Sequence, residues 1–456
     1  MKKTIIFLIS AVIIVISAPF PRANASYNKF LKDMTLYADI FLLESIEDGT
    51  IIFEKNTREK TAPASLTKIT TAIVTLENCG DLNKTVTVPE YVIRMFDGTG
   101  SSNVGMKPGE QMSVLNLLYC MLVPSANEAA AALADHIGGG SIDAFVGMMN
   151  DFVKKIGCTG THFVNPHGLD ADEQYTTAAD IAKITKYALT FDHSDLFEKI
   201  TTTREYTVPS TNLSAERKIV STNFMMSSGY AEYYCKYVSG IKTGSTENAG
   251  KCVVAKAAGD GYSYLAVVMK GSFDDVDRDG YRENGAFMTA KALIDWTFSN
   301  ISFETILPAS RIIAEMPVRL SSKSDYVGLC AIEDVSTFVP KGAEENSVLV
   351  LPDDSVTPES VDAPVKKGQK LGQAVIYYGG EEIARTDIAA VQDVDRNLFL
   401  YVGSLIGKLF SIFAFRMIFF ALVAVLVIYI FLKFRNMKKR RDHGRDMHIV
   451  DFRSYK

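Results

Sequence analysis

Residues 62–70 read APASLTKIT, with Ser65 and Lys68 three apart at the head of an apolar run. Leu66, Ile69, Ile73 and Val74 recur at helical intervals, so the spacing predicts a helix with Ser65 and Lys68 on one face. A lysine on a greasy face is a defect unless something there uses it. If Ser65 attacks a substrate, a partly neutral amine beside it takes the hydroxyl's proton. Burial and a second cation lower a lysine's pKa toward that state. The helix start also favours the negative charge that develops during attack. Alone, S-x-x-K is a cheap motif in a chain of 456 residues, and the rest of the chain has to decide.

Two further stretches bear on it. PSAN (124–127) falls in a break between two predicted helices, where Ser125 and Asn127 either point a hydroxyl and an amide into a cleft or cap the next helix. GIKTGS (240–245) ends a predicted strand. Its small residues let a substrate backbone approach and pair along the edge, with Lys242 and Thr243 ready for a carboxylate. The competing reading is a strand running into a turn. Each motif alone is weak. Their conjunction, in this order and each in the element its role needs, is a strong signal.

The surrounding pattern predicts an α/β domain. DIFLLESIEDGTIIFEKN reads as two strands joined through EDGT, and YVSGIKTGS, KCVVAKAA and YSYLAVVMKG as strands between turn signals. Helical patterns lie between them: MSVLNLLYCMLV stopped by Pro124, NEAAAALADHIGG, and IDAFVGMMNDFVKKIG ending at Gly157. AFMTAKALIDWTFSNI closes this part as a helix. The expectation is a sheet built from both ends of residues 26–301 with a helical subdomain inserted. From Ser302 to Asp395 short alternating runs predict a small all-β domain with no catalytic-looking cluster.

The termini speak of export. Lys2 and Lys3 precede an apolar run from Ile5 to Ala18, and Ala23 and Ala25 form an A-x-A cleavage signal, so residues 1–25 read as a signal peptide. Residues 396–416 read as an amphipathic approach to the membrane, Met417 to Leu432 as a transmembrane helix, and residues 433–456 as a basic cytoplasmic tail. The leader holds 3 basic residues, and beyond Leu432 lie 9 basic and 3 acidic ones; the rest has 36 Lys and Arg against 50 Asp and Glu. This acidic body argues against a nucleic-acid partner, and the basic tail suits anionic lipid. The six scattered cysteines read as small core residues, and the six histidines form no metal-ligand pattern. No metal or other cofactor is expected.

With these residues in view, the chain resembles the low-molecular-mass penicillin-binding proteins of the D-alanyl-D-alanine carboxypeptidase type. The resemblance extends to FVNPHGLD (163–170), VSGIKTGSTENAG, AKALIDWTF and PVKKGQKLGQAVIY. It implies a β-lactamase/transpeptidase-like catalytic domain that removes the terminal D-alanine from peptidoglycan pentapeptide stems and is inhibited by β-lactams. Carried over by motif, Ser65 is the nucleophile and Lys68 the general base, while Ser125 and Asn127 relay protons and hold the substrate amide. Lys242 and Thr243 position the terminal carboxylate beside Gly244, and the backbone N–H groups of Ser65 and Ser245 form the oxyanion hole. Arg282 is a weak further candidate for the carboxylate. The same motifs leave room for an endopeptidase of wall cross-links, a β-lactamase or a non-hydrolytic β-lactam receptor. The spanning helix departs from the many relatives that attach by an amphipathic C-terminal helix.

Overall fold

The computed structural model describes residues 27–275, 282–343 and 347–445. The expected signal peptide and the end of the basic tail lie outside them. The chain forms two compact units, one holding residues through Ile306 with 335–349 and 376–385, the other holding 307–334, 350–375 and the chain from 386 onward.

The first unit is built on a five-stranded antiparallel sheet. Strands β1 (Ala38–Ser45) and β2 (Ile51–Lys55) form the expected N-terminal pair, and β3 (Lys242–Thr246), β4 (Gly250–Gly259) and β5 (Tyr262–Gly271) come from far along the chain. The order β2-β1-β5-β4-β3 joins the two ends of the domain at the β1–β5 seam, where Leu42 faces Val267 and Leu43 faces Ala266. This order leaves β3 on the edge, its outer side unpaired within the sheet. Helix Gly285–Asn300 packs on β4 and β5, and helix Ala178–Ala188 on β1 and β5.

Helix α1 (Thr67–Asn78) departs from a simple amphipathic pattern. Besides Ile69, Ile73 and Leu76 it buries Thr67, Lys68, Thr70, Thr71 and Thr75. It therefore runs through the core, where the Thr67 and Thr71 hydroxyls find partners and, among the described residues, those of Thr70 and Thr75 do not. Thr71 Oγ1 donates to the Pro166 carbonyl at 2.6 Å, and Thr67 Oγ1 to that of Ala64 at 2.9 Å. Helices α2 (Val114–Leu122) and α3 (Asn127–Ile137) pack on α1. The Ser113 hydroxyl caps α2 by accepting from Asn116 N, and the helix stops before Pro124 as expected. Helices Ala178–Ala188 and Ser194–Thr201 complete the helical region, in a stretch without a specific sequence assignment.

In the second unit, Ile312–Arg319 pairs antiparallel with Tyr326–Ala331, and Leu329 faces Ala390 on the next strand. Val318, Val327, Leu329, Ile388 and Ala390 contribute to a separate small core. All-β character is thus present where the alternating runs predicted it. A helix follows at Leu398–Ser411, capped by the Asn397 side chain. The next helix, Phe413–Arg445, runs past both ends of the apolar stretch at 417–432. Backbone hydrogen bonding does not end where apolarity ends, and lysine and arginine are good helix formers. Its segment Phe413–Lys438 is long and apolar enough to cross a bilayer. The six cysteines are unpaired, and Cys120, Cys158, Cys235 and Cys252 are buried.

Candidate active site

Three elements meet at the N-terminal end of α1. Ser65 sits in a single 3-10 turn, Ala64–Leu66, rather than in the α-helix proper. Ala64 holds a positive φ of 46°, which bends the chain sharply into the turn. Ser65 is half-buried, whereas Lys68, one turn on, is wholly buried.

Lys68 Nζ has three oxygen partners. It lies 2.8 Å from Ser65 Oγ, 2.6 Å from Asn127 Oδ1 and 2.6 Å from the His167 carbonyl. Three acceptors around an ammonium-sized nitrogen could saturate three N–H donors, yet burial strongly disfavours the charge. Burial foremost, and then the nearby charge of Lys242, push Lys68 well below the ordinary lysine range, with Glu128 opposing. An uncharged amine keeps two N–H donors and one lone pair. Asn127 and His167 accept the donors, and the lone pair is left for the Ser65 hydroxyl. This is the state a general base needs.

Asn127 opens α3 and presents its amide to Lys68. The cap reading for PSAN does not hold, because the residue preceding α3 is Ala126 and no side chain caps the helix. Ser125 is 4% exposed and has a left-handed φ of 71°. Among the described residues its hydroxyl makes no hydrogen bond with Ser65 or Lys68. A non-glycine residue held at positive φ is strained, a cost that clusters at functional sites.

The edge strand β3 supplies the opposite wall. Lys242 is 1% exposed, its Nζ donates to the Thr243 carbonyl at 2.9 Å, and burial pushes its pKa down to about 7. Thr243 Oγ1 lies 2.5 Å from Thr222 Oγ1. A Cβ on Gly244 would stand 3.0 Å from Ala64 Cβ and 3.2 Å from Ser65 N, so glycine lets the strand seat tightly against the Ser65 turn. Ser245 is exposed on the same edge. Arg282 is exposed, with its guanidinium 5.9 Å from the centre of the Phe273 ring, and is not among the groups bonded to the Ser65–Lys68 pair.

Two contributors went unassigned in the sequence. His167 acts through its carbonyl, not its ring. Burial foremost, and then the neighbouring Lys68, push the ring down to about 3, so it is neutral at physiological pH. The FVNPHGLD loop is folded by Asn165, whose Oδ1 accepts from Gly168 N at 2.7 Å and whose Nδ2 donates to the Leu169 carbonyl at 3.0 Å. The second is Glu128, 3% exposed, immediately after Asn127. The stretches containing both were visible; no local pattern says that a carbonyl there meets a lysine 99 residues away.

Comparison with known proteins agrees with this assembly. Residues 28–272 match the D-alanyl-D-alanine carboxypeptidase family and residues 303–396 the C-terminal domain of penicillin-binding protein 5. The chain is 28% identical over 404 residues to the D-alanyl-D-alanine carboxypeptidase DacF of Bacillus subtilis, covering 88% of this chain and 96% of that protein. It is 31% identical over 374 residues to DacC of Escherichia coli, covering 79% and 85%. Penicillin binding protein 5 from Haemophilus influenzae has a similar structure, with a TM-score of 0.58 at 28% identity over 80% of this chain and 99% of that one. The fold is that of the penicillin-binding proteins, with an α/β catalytic domain followed by an all-β domain. The match to more than half of the chain, and the relatives that extend it, show that this protein belongs to the D-alanyl-D-alanine carboxypeptidase family of serine peptidases.

Proposed function

We propose that this protein removes the terminal D-alanine from peptidoglycan pentapeptide stems through an acyl-enzyme on Ser65. The observation that carries the reading is the buried Lys68 amine 2.8 Å from the Ser65 hydroxyl. Ser65 Oγ attacks the carbonyl carbon of the penultimate D-alanine, and its proton passes to Lys68. The tetrahedral oxyanion is held by backbone N–H groups of Ser65 and Ser245, a pair of donors worth about 3 kcal/mol or more in such chemistry. Collapse breaks the C–N bond, and the departing D-alanine amine takes the proton, with Ser125 in the relay. Water then attacks the acyl-serine with the same base and restores Ser65.

Lys242 and Thr243 hold the terminal carboxylate at the start of β3, and Gly244 lets the substrate backbone lie along the edge. Asn127 receives the substrate amide while holding Lys68. Fixing the carboxylate there sends the rest of the stem toward Thr246. Beyond that end lies an open depression of about 610 Å³ lined by residues including Lys60, Asp170, Tyr175, Glu247 and Asn248. A β-lactam enters the same way, but its opened ring remains tethered to the acyl group. With no departing fragment, the adduct persists.

The protein works outside the cytoplasm. Supporting this are the leader-like residues 1–25 and the apolar helix Phe413–Lys438, whose 26 residues would span about 39 Å, enough for a bilayer core. The exposed apolar helix Leu398–Ser411 suits the membrane interface, and the basic residues after it suit the cytoplasmic side.

The test is a paired assay on the full-length protein in detergent. Labelled penicillin is expected on the peptide containing Ser65, with D-alanine released from a pentapeptide, and Ser65→Ala should abolish both. A Ser65→Ala protein that still releases D-alanine would overturn the mechanism.

A further inference from the structure

Glu128 is a buried carboxylate in the core of the site, with no cation paired to it among the described residues. Its Oε1 accepts from Val104 N at 2.6 Å, and the amides of Gly105 and Met106 also bear on the group. Its Oε2 is buried with no hydrogen-bond partner. An acidic residue in the first turn of a helix needs only exposure to favour the dipole, so burial here is a cost that the backbone amides offset in part. Burial accordingly raises its pKa.

What the carboxylate holds is a loop with two contacts on the catalytic lysine's partners. At one end the Phe96 ring meets the His167 ring edge-on, 5.1 Å between centres. Further along, the Ser102 carbonyl accepts from Asn127 N at 2.9 Å. His167 and Asn127 are two of the three groups bonded to Lys68 Nζ. Between the contacts, Asp97–Gly100 are exposed, and Gly98 and Gly100 are at positive φ. The loop is clamped at Val104, whose N–H is taken by Glu128 and whose carbonyl accepts from Arg217 Nη1 at 3.2 Å. Arg217 is itself ion-paired to the fully buried Glu110.

We propose that Glu128 is a positioning residue for the reaction: it fixes the Phe96–Val104 loop against Asn127 and His167, and its negative charge offsets that of Lys242 at Lys68. This rests on Lys68 being the base for Ser65. The charged and titratable groups around the pair are few. Lys68 is faced by Lys242 from β3, Glu128 from α3 and the neutral His167 ring. On α2 the nearest is Cys120, a thiol that burial pushes up to about 12, with Arg217 and Glu110 beyond it.

The experiment measures the pH dependence of Ser65 acylation by a labelled penicillin in the full-length protein, with Glu128→Gln and Glu128→Ala. Glutamine keeps an acceptor for Val104 N–H and removes the charge. Its acidic limb should move to lower pH by about half a unit or more, with a plateau within about threefold of the wild type. Alanine removes both; its limb should move equally, its plateau should fall about tenfold or more, and amide hydrogen exchange at Val104–Met106 should accelerate. An unmoved limb in Glu128→Gln overturns the proposal, even if Glu128→Ala fails to fold. Equal plateaus and unchanged exchange in both variants overturn the loop-holding role. A wild-type profile with no acidic limb, or a Lys68→Ala protein that still acylates normally, instead refutes Lys68 as the base. The two failures are therefore distinct.

Discussion

Lys68 Nζ and the backbone carbonyl of His167, 99 residues apart in sequence, are joined by a hydrogen bond of 2.6 Å. The carbonyl takes an N–H from the amine and so fixes the orientation of Nζ, which also lies 2.8 Å from Ser65 Oγ. Its position depends on Gly168, where the backbone holds φ 90° and a Cβ would stand 1.9 Å from the Ala64 carbonyl oxygen. Gly168→Ala therefore combines left-handed strain with a clash against the nucleophile turn. A loss of about 3 kcal/mol in stability is expected, together with loss of penicillin acylation. Thermal unfolding checks the first and labelling the second; a variant with wild-type melting and labelling would contradict this geometry.

Gly244→Ala should separate activity from stability. Its Cβ would meet Ala64 Cβ at 3.0 Å and Ser65 N at 3.2 Å, distances that a shift of a few tenths of an ångström relieves. The fold survives such a shift, while the alignment of edge strand and nucleophile does not. Acylation is expected to slow by about 10- to 100-fold with a melting temperature close to wild type. Equal rates for the two proteins would show that β3 need not seat against Ser65.

Under the proposed mechanism the pH profile follows from two lysines with opposite requirements. Lys68 must be neutral to accept a proton, so kcat/KM rises as pH climbs through its lowered pKa. Lys242 must be charged to hold a carboxylate, so kcat/KM falls as pH climbs past about 7. The result is a bell in the free-enzyme profile. In Lys242→Ala the descending limb should vanish and KM should rise. Loss of the Lys242 charge should also move the acidic limb to higher pH, because that charge helps depress Lys68. Rates measured from pH 5 to 10 test the signs of all three effects.

Arg217, which also clamps the loop at Val104, offers a test of stability. Its partner Glu110 is wholly buried and also accepts from Lys107 N at 2.9 Å and Thr211 Oγ1 at 2.8 Å. Arg217→Ala strands a buried carboxylate and should destabilise by about 3 kcal/mol or more. Adding Glu110→Gln should recover part of that loss, since the amide oxygen still accepts. A single variant as stable as wild type would show that the ion pair with Glu110 contributes nothing to the fold.

Much of this architecture was legible in the chain. Apolar runs bounded by turn signals marked the strands Ala38–Ser45 and Tyr262–Gly271, and both are buried along nearly their whole length. The break at Pro124 marked the end of α2 because proline cannot continue a helix. The Ser65–Lys68 pair was readable for the same local reason, three residues being about one turn. That Asn127 shares a cleft with Ser65 was anticipated only by the co-occurrence of motifs, and its hydrogen bond to Lys68 was not anticipated. The apolar stretch 417–432 located a helix apolar enough to cross a bilayer but not its ends, which hydrophobicity does not set.

The sequence by itself determined the residue types of the chemistry, their order and the elements carrying them, since propensity, patterning and proline act locally. Tertiary structure alone decided that Lys68 is buried among three oxygens, that the carbonyl rather than the ring of His167 meets it, and that Glu128 lies under the loop beside it. Those facts depend on which distant segments share a low-dielectric space, and protonation there is set by burial and neighbouring charge. In APASLTKIT the lysine is a possible base; enclosed by α3, β3 and the His167 loop, it is a buried amine whose pKa burial drives well below the ordinary lysine range.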